Sequence, residues 1–334
     1  MRLEPSPPPE QRAALRAQLA RLQQPGVVSE ILDASGTAEF KSAHVSSSVH
    51  SVHSDRFVLR ALVRSGAGEA RTYALKVYSD DLGERVWAYS QALAADGRAD
   101  LSGLCLPSQY IAHARMLVFP WVDGAPLSTI ADGRAPELLR QAAGLAAHLH
   151  RLAVVPEPPT TPQMIVEAAR DRCDRLCSRW PETTSIIEPL SVILEEALAG
   201  LDPAAPAPVH GDMWAGHFLW TGDRLVLFDL DMFGYTDPAY DVGHFLGQLE
   251  RYILSDPTLP VSAQAWPVCF RDAYLAAMPH VSMRNVSFYL GLTLVRKIYT
   301  VQRVQPADAP WLVPQLALRA RAALLEATAA GMAT

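Results

Sequence analysis

Apolar residues stand at Leu15, Leu19 and Leu22 within residues 9–23, a helical spacing that Pro25-Gly26 cuts off. The pattern then turns β-like. Residues 56–63 and 72–78 alternate apolar and polar side chains around the turn sequence Ser65-Gly66-Ala67-Gly68, which predicts a β-hairpin. Residues 82–95 read as a helix, and strand-like runs over 105–113 and 115–122 complete a small sheet. From Gly124 onward, broad apolar stripes predict helices over residues 136–152, 162–179, 185–201, 238–254, 262–277, 284–304 and 311–329. Only residues 210–241 break that rhythm, with a loop, a short apolar strand over 225–228 and a second loop dense in acids. A polar loop and strand inside a helical region is a place where chemistry concentrates. The expected class is α+β in two lobes: residues 1–24 a helical N-terminal extension, 25–122 a small β-rich lobe, and 123–334 a larger, mainly helical lobe.

Composition narrows the partners. The 334 residues, 49% apolar and 19% charged, suffice to bury two cores. With 29 Lys+Arg against 35 Asp+Glu, the net charge of −6 offers no broad attraction to nucleic acid or to an anionic membrane, so neither is an expected partner. The longest apolar run, residues 286–295, stops at Arg296, about half a membrane-spanning length. The charged and then Pro-rich start has no apolar stretch behind it, and the four cysteines are not spaced as a disulfide framework. Reduced thiols and a cytoplasmic location are expected. Nothing in the sequence bears on oligomeric state.

The candidate chemistry lies in the acidic interruption. Asp212 sits in the loop His210-Gly211-Asp212, and Asp229 follows the apolar strand 17 positions later. Two such segments can bring both carboxylates to one cleft, where one orients or deprotonates a hydroxyl and the other holds a divalent cation. Each acid alone reads better as a turn cap.

Three motifs in order change that balance: His210-Gly211-Asp212, then Phe228-Asp229-Leu230-Asp231, then Thr236-Asp237-Pro238-Ala239-Tyr240-Asp241. Together they resemble the aminoglycoside phosphotransferase and choline kinase family, small-molecule relatives of the protein kinases, whose pattern is H-G-D-x-x-x-x-N, I-D-[FW]-[ED] and G-D-P-x-x-D. The resemblance implies a protein-kinase-like two-lobe fold with a nucleotide-binding N-lobe, ATP and Mg2+ as cofactors, and a small hydroxylated molecule as acceptor. It implies Asp212 as catalytic residue and Asp229 as principal metal ligand. Asp231 is a candidate second ligand, on the same side as Asp229 if the strand stays extended. Lys76, on a strand, would bridge the ATP phosphates with Glu84 of the next helix holding it, Asp80 and Asp81 being competing partners. Residues 116–127 resemble the family's inter-lobe hinge, so the Pro120 carbonyl and the Val122 N–H would meet the adenine edge. No glycine-rich loop marks residues 45–53; Ser47 and its neighbours would contact phosphate oxygens or form an ordinary polar strand.

Where the family has a metal-binding Asn, this chain has His217. Mg2+ prefers oxygen ligands, so an imidazole is a poor direct substitute. His217 would therefore reach metal or phosphate through a water, or orient Asp212, or mark the loss of transfer. The first-ranked expectation is an active ATP-dependent kinase; the alternative is a pseudokinase-like protein that binds a nucleotide or small molecule without turnover. Asp237 and Asp241 are expected to be structural, His148 and His150, two apart on a helix, not to form a metal pair, His244 to be a packed or capping residue, and Trp214, Phe233 and Tyr235 to wall the acceptor site. Residues 135–334 hold 21 acids and 15 bases, and the five aspartates already named account for most of the excess. With no further acidic lining, a neutral sugar, nucleoside or natural product is at least as well supported as an aminoglycoside.

Overall fold

The computed structural model describes residues 7–64, 69–95, 100–155 and 158–329. The chain divides into two compact units, with the boundary between Asp123 and Gly124. The turn expected at Ser65-Gly66-Ala67-Gly68 lies outside the described residues.

The N-terminal unit runs α1 (Pro9–Leu22), α2 (Val27–Ala34), β1 (His44–Val52), β2 (Arg56–Arg64), β3 (Ala70–Tyr78), α3 (Leu82–Ala95), β4 (Gln109–Ile111) and β5 (Met116–Pro120). Its strands form one antiparallel sheet in the order β1-β2-β3-β5-β4, so β3 is central. Side chains alternate across β3: Tyr73, Leu75 and Val77 enter a core with Leu15, Leu22, Val28, Ile31 and Leu32, while Tyr78 packs with Leu82 and Val86 of α3 on the other face. Two expectations change here. The helix at residues 9–22 is no extension, because Leu15 and Leu22, 4% and 2% exposed, are built into the sheet's own core. The segment from Val27, expected to be β-rich, opens with α2; Val28, Ile31 and Leu32 have helical spacing and bury together. The run expected at 105–113 shrinks to Gln109–Ile111.

The C-terminal unit contains β6 (Ala125–Pro126), α4 (Ala135–His150), α5 (Pro162–Arg179), α6 (Thr184–Ala199), β7 (Ala207–Val209), β8 (Phe218–Trp220), β9 (Leu225–Leu227), β10 (Gly234–Thr236), α7 (Ala239–Ser255), α8 (Trp266–Ala277), α9 (Met283–Val304) and α10 (Ala309–Ala329). All seven helices expected from the apolar stripes form. The Thr161 hydroxyl caps α5 and the Ser282 hydroxyl caps α9, each accepting from a backbone N–H in the first turn. The helix α7 crosses α9 closely: a Cβ on Gly243 would stand 2.5 Å from the Leu290 backbone nitrogen. Two short ladders, β7 with β10 and β6-β8-β9, pin both ends of the polar interruption. No helix of the described residues is long and apolar enough to cross a membrane.

Candidate active site

The loop from His210 to His217 joins β7 to β8 and is held from below by one buried carboxylate. Asp241, in the first turn of α7 and fully buried, accepts from the His210 N–H at 2.6 Å and the Gly211 N–H at 2.9 Å. His150 of α4 donates from Nε2 to the same carboxylate at 3.0 Å, and its Nδ1 meets the Tyr274 hydroxyl at 2.6 Å. Burial pushes the Asp241 carboxyl up, but the hydrogen bond and charge of His150 outweigh it and hold the group below the usual carboxylate range. Gly211 has φ of +81°, and a Cβ there would overlap the Met232 carbonyl oxygen, so the turn into Asp212 requires glycine.

Asp212 emerges from this loop with its side chain 46% exposed. Its Oδ1 accepts from His244 Nε2 at 3.1 Å, and the Thr293 hydroxyl approaches His244 Nδ1 at 3.4 Å. Burial lowers the His244 pKa, so the ring is neutral and donates its Nε2 proton to the carboxylate. For Asp212, burial acts upward, but the His244 hydrogen bond and, at the acid pH where the carboxyl titrates and both rings are protonated, the charges of His244, His217 and Lys297 hold it well below the usual range. Asp212 is thus ionised at neutral pH, with one oxygen tethered.

On the other flank, the Asp212 N–H donates to His210 Nδ1 at 3.3 Å, which leaves the His210 Nε2 proton for the Phe228 carbonyl at 2.9 Å. His217 donates from Nδ1 to the Asp212 carbonyl at 2.8 Å and packs among the rings of His210, Trp214 and Phe228. Burial pushes the His217 pKa down to about 4. The neutral ring therefore points an Nε2 lone pair at Asp229 Oδ2, 3.7 Å away. Two acceptors facing one another at that distance suit a cation between them. Asp229 reaches this position through a left-handed backbone, φ +69°, a conformation that aspartate tolerates better than most residues.

That turn also corrects an expectation. The strand ends at Leu227, and Leu230–Met232 form a 3-10 turn, so the extended geometry that would align Asp231 with Asp229 does not persist. Among the described residues no group of three or more His, Cys, Asp or Glu side chains is arranged to hold a metal, so Asp229, Asp231 and His217 are not a three-ligand set. The Asp229 carboxylate by itself still fits Mg2+, which is commonly held by one or two carboxylates with waters and substrate phosphates completing the shell, and the His217 ring stands where it would meet such a water.

In the N-terminal unit, Lys76 is 7% exposed in β3, paired in register with Val58 and Leu117. It faces the α3 side of the sheet, with Nζ 5.4 Å from the Tyr78 ring, and Glu84 lies in the first turn of α3. Pro120 ends β5, and the Trp121 N–H closes the ladder on the Thr72 carbonyl at 3.0 Å, so Val122 stands just beyond the hydrogen-bonded strand. Ser47 is exposed in the middle of the edge strand β1, opposite Ala61 and so on the face of the sheet away from Lys76, which makes it an ordinary polar strand residue rather than the expected phosphate contact. Residues 45–52 are strand rather than loop; the connection to β2 is His53–Asp55.

A cavity of about 210 Å3 opens beside Asp212, lined by His244, Met232, Arg172 of α5, and Arg296 and Lys297 of α9. Trp214, Phe233 and Tyr235, expected as walls, do not line it, and Phe233 is 1% exposed. Asp237 is structural: it accepts from the Ala239 N–H at 2.9 Å and Asn285 Nδ2 at 2.8 Å. Sequence reasoning missed His244, His150 and the basic trio. The available signals were the three-residue spacing of Asp241 and His244, which shares a helix face, and the Arg296-Lys297 pair ending an apolar run.

A search of the curated proteins found no match. Solved structures share the fold. A choline/ethanolamine kinase family protein from Mesorhizobium loti superposes with a TM-score of 0.61 at 13% identity, over 90% of this chain and 98% of that one. Macrolide 2'-phosphotransferase MphH from Brachybacterium faecium gives 0.52 at 17% identity, over 86% and 98%. Amicoumacin kinase hAmiN, solved in complex with AMP-PNP, Ca2+ and Ami, gives 0.58 at 14% identity, over 82% and 87%. The family model described as the phosphotransferase enzyme family, APH, matches residues 55–267, from β2 through the catalytic loop into α8. The chain therefore belongs to the APH phosphotransferase enzyme family and is a phosphotransferase acting on alcohol groups.

Proposed function

We propose that this phosphotransferase is an ATP-dependent small-molecule kinase acting in the cytoplasm, with a hydroxyl of a sugar, aminoglycoside or related natural product as acceptor. The observation that carries the reading is Asp212, half-exposed on a loop clamped by Asp241, with one carboxylate oxygen tethered to His244 and a cavity beside it. When bound, ATP with Mg2+ supplies the phosphoryl group and neutralises its charge. Asp212, kept ionised, orients the acceptor hydroxyl with its second oxygen and takes its proton as the oxygen becomes a nucleophile. Its depressed pKa makes it a weak base, which suits a proton transferred late, after bonding to phosphorus has begun.

Asp229 would hold the cation, with His217 Nε2 meeting it through a water. Lys76, rigid in the central strand, grips the nucleotide phosphates, with Glu84 as its orienting acid, and the Pro120 carbonyl and Val122 N–H receive the adenine edge. The AMP-PNP and Ca2+ in the hAmiN complex are in keeping with a nucleotide and a divalent cation here.

The test is incubation with ATP, Mg2+ and a panel of hydroxylated compounds, read by mass spectrometry for a gain of one phosphate. Asp212→Asn should lower kcat by about 10²–10⁴-fold with ATP affinity retained. Nucleotide binding with no product from any acceptor would replace this reading with that of a binding protein.

A further inference from the structure

Three of the side chains lining the cavity beside Asp212 are cations: Arg172 from α5, and Arg296 and Lys297 from α9. Among the described residues none of them has a carboxylate within 4.0 Å. The one acid in the lining is Asp212, already tied to His244, and Arg296 is held in place by donating to the Tyr240 hydroxyl at 3.0 Å. This local excess of positive charge stands in a chain whose net charge is −6.

We infer that the acceptor carries an anionic oxyacid group, a carboxylate or a phosphate, which Arg172, Arg296 and Lys297 receive while its hydroxyl meets Asp212. The inference deepens the kinase reading and rests on it for the word acceptor.

Arg172 and Lys297 are packed at a cost that an anion would relieve, whereas Tyr240 and Asp212 outweigh burial and hold Arg296 above its ordinary value. Burial lowers Arg172 to about 10, with Arg296 adding to the effect. Burial likewise lowers Lys297 to about 7; Asp212 acts against the shift, and Arg296, Arg251 and Arg172 reinforce it. A polycation such as an aminoglycoside would bring like charge into the same half-buried space, where repulsion is weakly screened. Planar guanidinium groups paired with an ammonium suit bidentate and point-charge contacts to carboxylate or phosphate oxygens.

The experiment is isothermal titration of the nucleotide-free protein with glycerate and with glycerol 3-phosphate, against glycerol and choline as neutral and cationic counterparts. Binding of either acid and not of the counterparts is expected, and the preferred acid distinguishes carboxylate from phosphate recognition. Lys297→Met and Arg172→Gln should each weaken that binding about tenfold to a hundredfold, with Lys297→Arg retaining it and ATP affinity changed less than twofold. Thermal melting checks that the variants fold, and two positions guard against the loss of either.

Absence of anion binding overturns the inference. So does binding unaffected in both variants, equal binding of glycerol or choline, or an equal loss of ATP affinity, which would give the cavity to the nucleotide. Phosphate transfer to glycerol or choline without anion binding would overturn it while leaving the kinase reading intact. Variant-sensitive anion binding without transfer to any acceptor would do the reverse.

Discussion

Asp241→Asn tests whether one buried carboxylate sets the catalytic loop. The wild-type side chain is fully buried and accepts three hydrogen bonds, from the His210 and Gly211 N–H groups and from His150 Nε2. An Asn of the same shape keeps one acceptor oxygen and turns a donor NH2 toward at least one of those three donors. Hydrogen bonds to a charged group contribute about 1.5–3 kcal/mol each, and leaving a buried donor unsatisfied costs about 1–3 kcal/mol. The bonds share one carboxylate and do not add, so the expected loss is about 3–5 kcal/mol. For a unit of this size that lowers Tm by roughly 6–20 °C. Urea unfolding followed by far-UV circular dichroism measures the free energy, and steady-state kinetics measure kcat on material shown to be folded. The kinetic expectation is a fall in kcat with ATP affinity retained, because the loop shifts Asp212 and not the N-terminal unit. A Tm within 2 °C of wild type together with an unchanged kcat would refute the clamp.

Other outcomes follow from the same site. Asp229→Ala should abolish metal-dependent transfer in a magnesium titration, whereas His217→Asn should keep transfer, because an amide oxygen suits Mg2+, and should lower stability through lost ring packing. Gly211→Ala should cost about 1–3 kcal/mol and reduce kcat, because alanine is strained at φ +81° and meets the Met232 carbonyl; unchanged melting and kinetics would count against the turn geometry. His244, held below its unfolded pKa of about 6.5 by burial, should contribute stability in full above that pH. As pH falls from there through the lowered folded value, the unfolded chain binds the extra proton and stability declines. Asp212 opposes that shift and Lys297 and Arg296 reinforce it; His244→Gln should flatten this part of the pH–stability curve in urea melts.

Much of the architecture was legible because its signals are local. Residues 162–179 and 82–95 form helices over the bounds their periodicity predicts, since a one-sided apolar stripe has a single way to bury itself. The helix α2 lay hidden inside a stretch that is β-rich as a whole, although Val28, Ile31 and Leu32 share a helix face that closes over the sheet. The short ladders β7–β10 and β6–β8 escaped notice because two or three residues carry no period, and only their distant partners make them strands.

The sequence by itself determined the family and the order of its motifs, because residue type and spacing along the chain carry those directly. Only the tertiary structure decided what surrounds Asp212. His244 reaches it from α7, 32 positions on. His150 and Asp241 lie 91 positions apart. Arg172 shares its cavity with Lys297, from a helix more than a hundred residues away. No spacing rule links such residues; they meet because α7 packs on α9 and α8, α5 on α9 and α4 on α8, and the polar side chains those helices carry are brought together as a consequence of that packing.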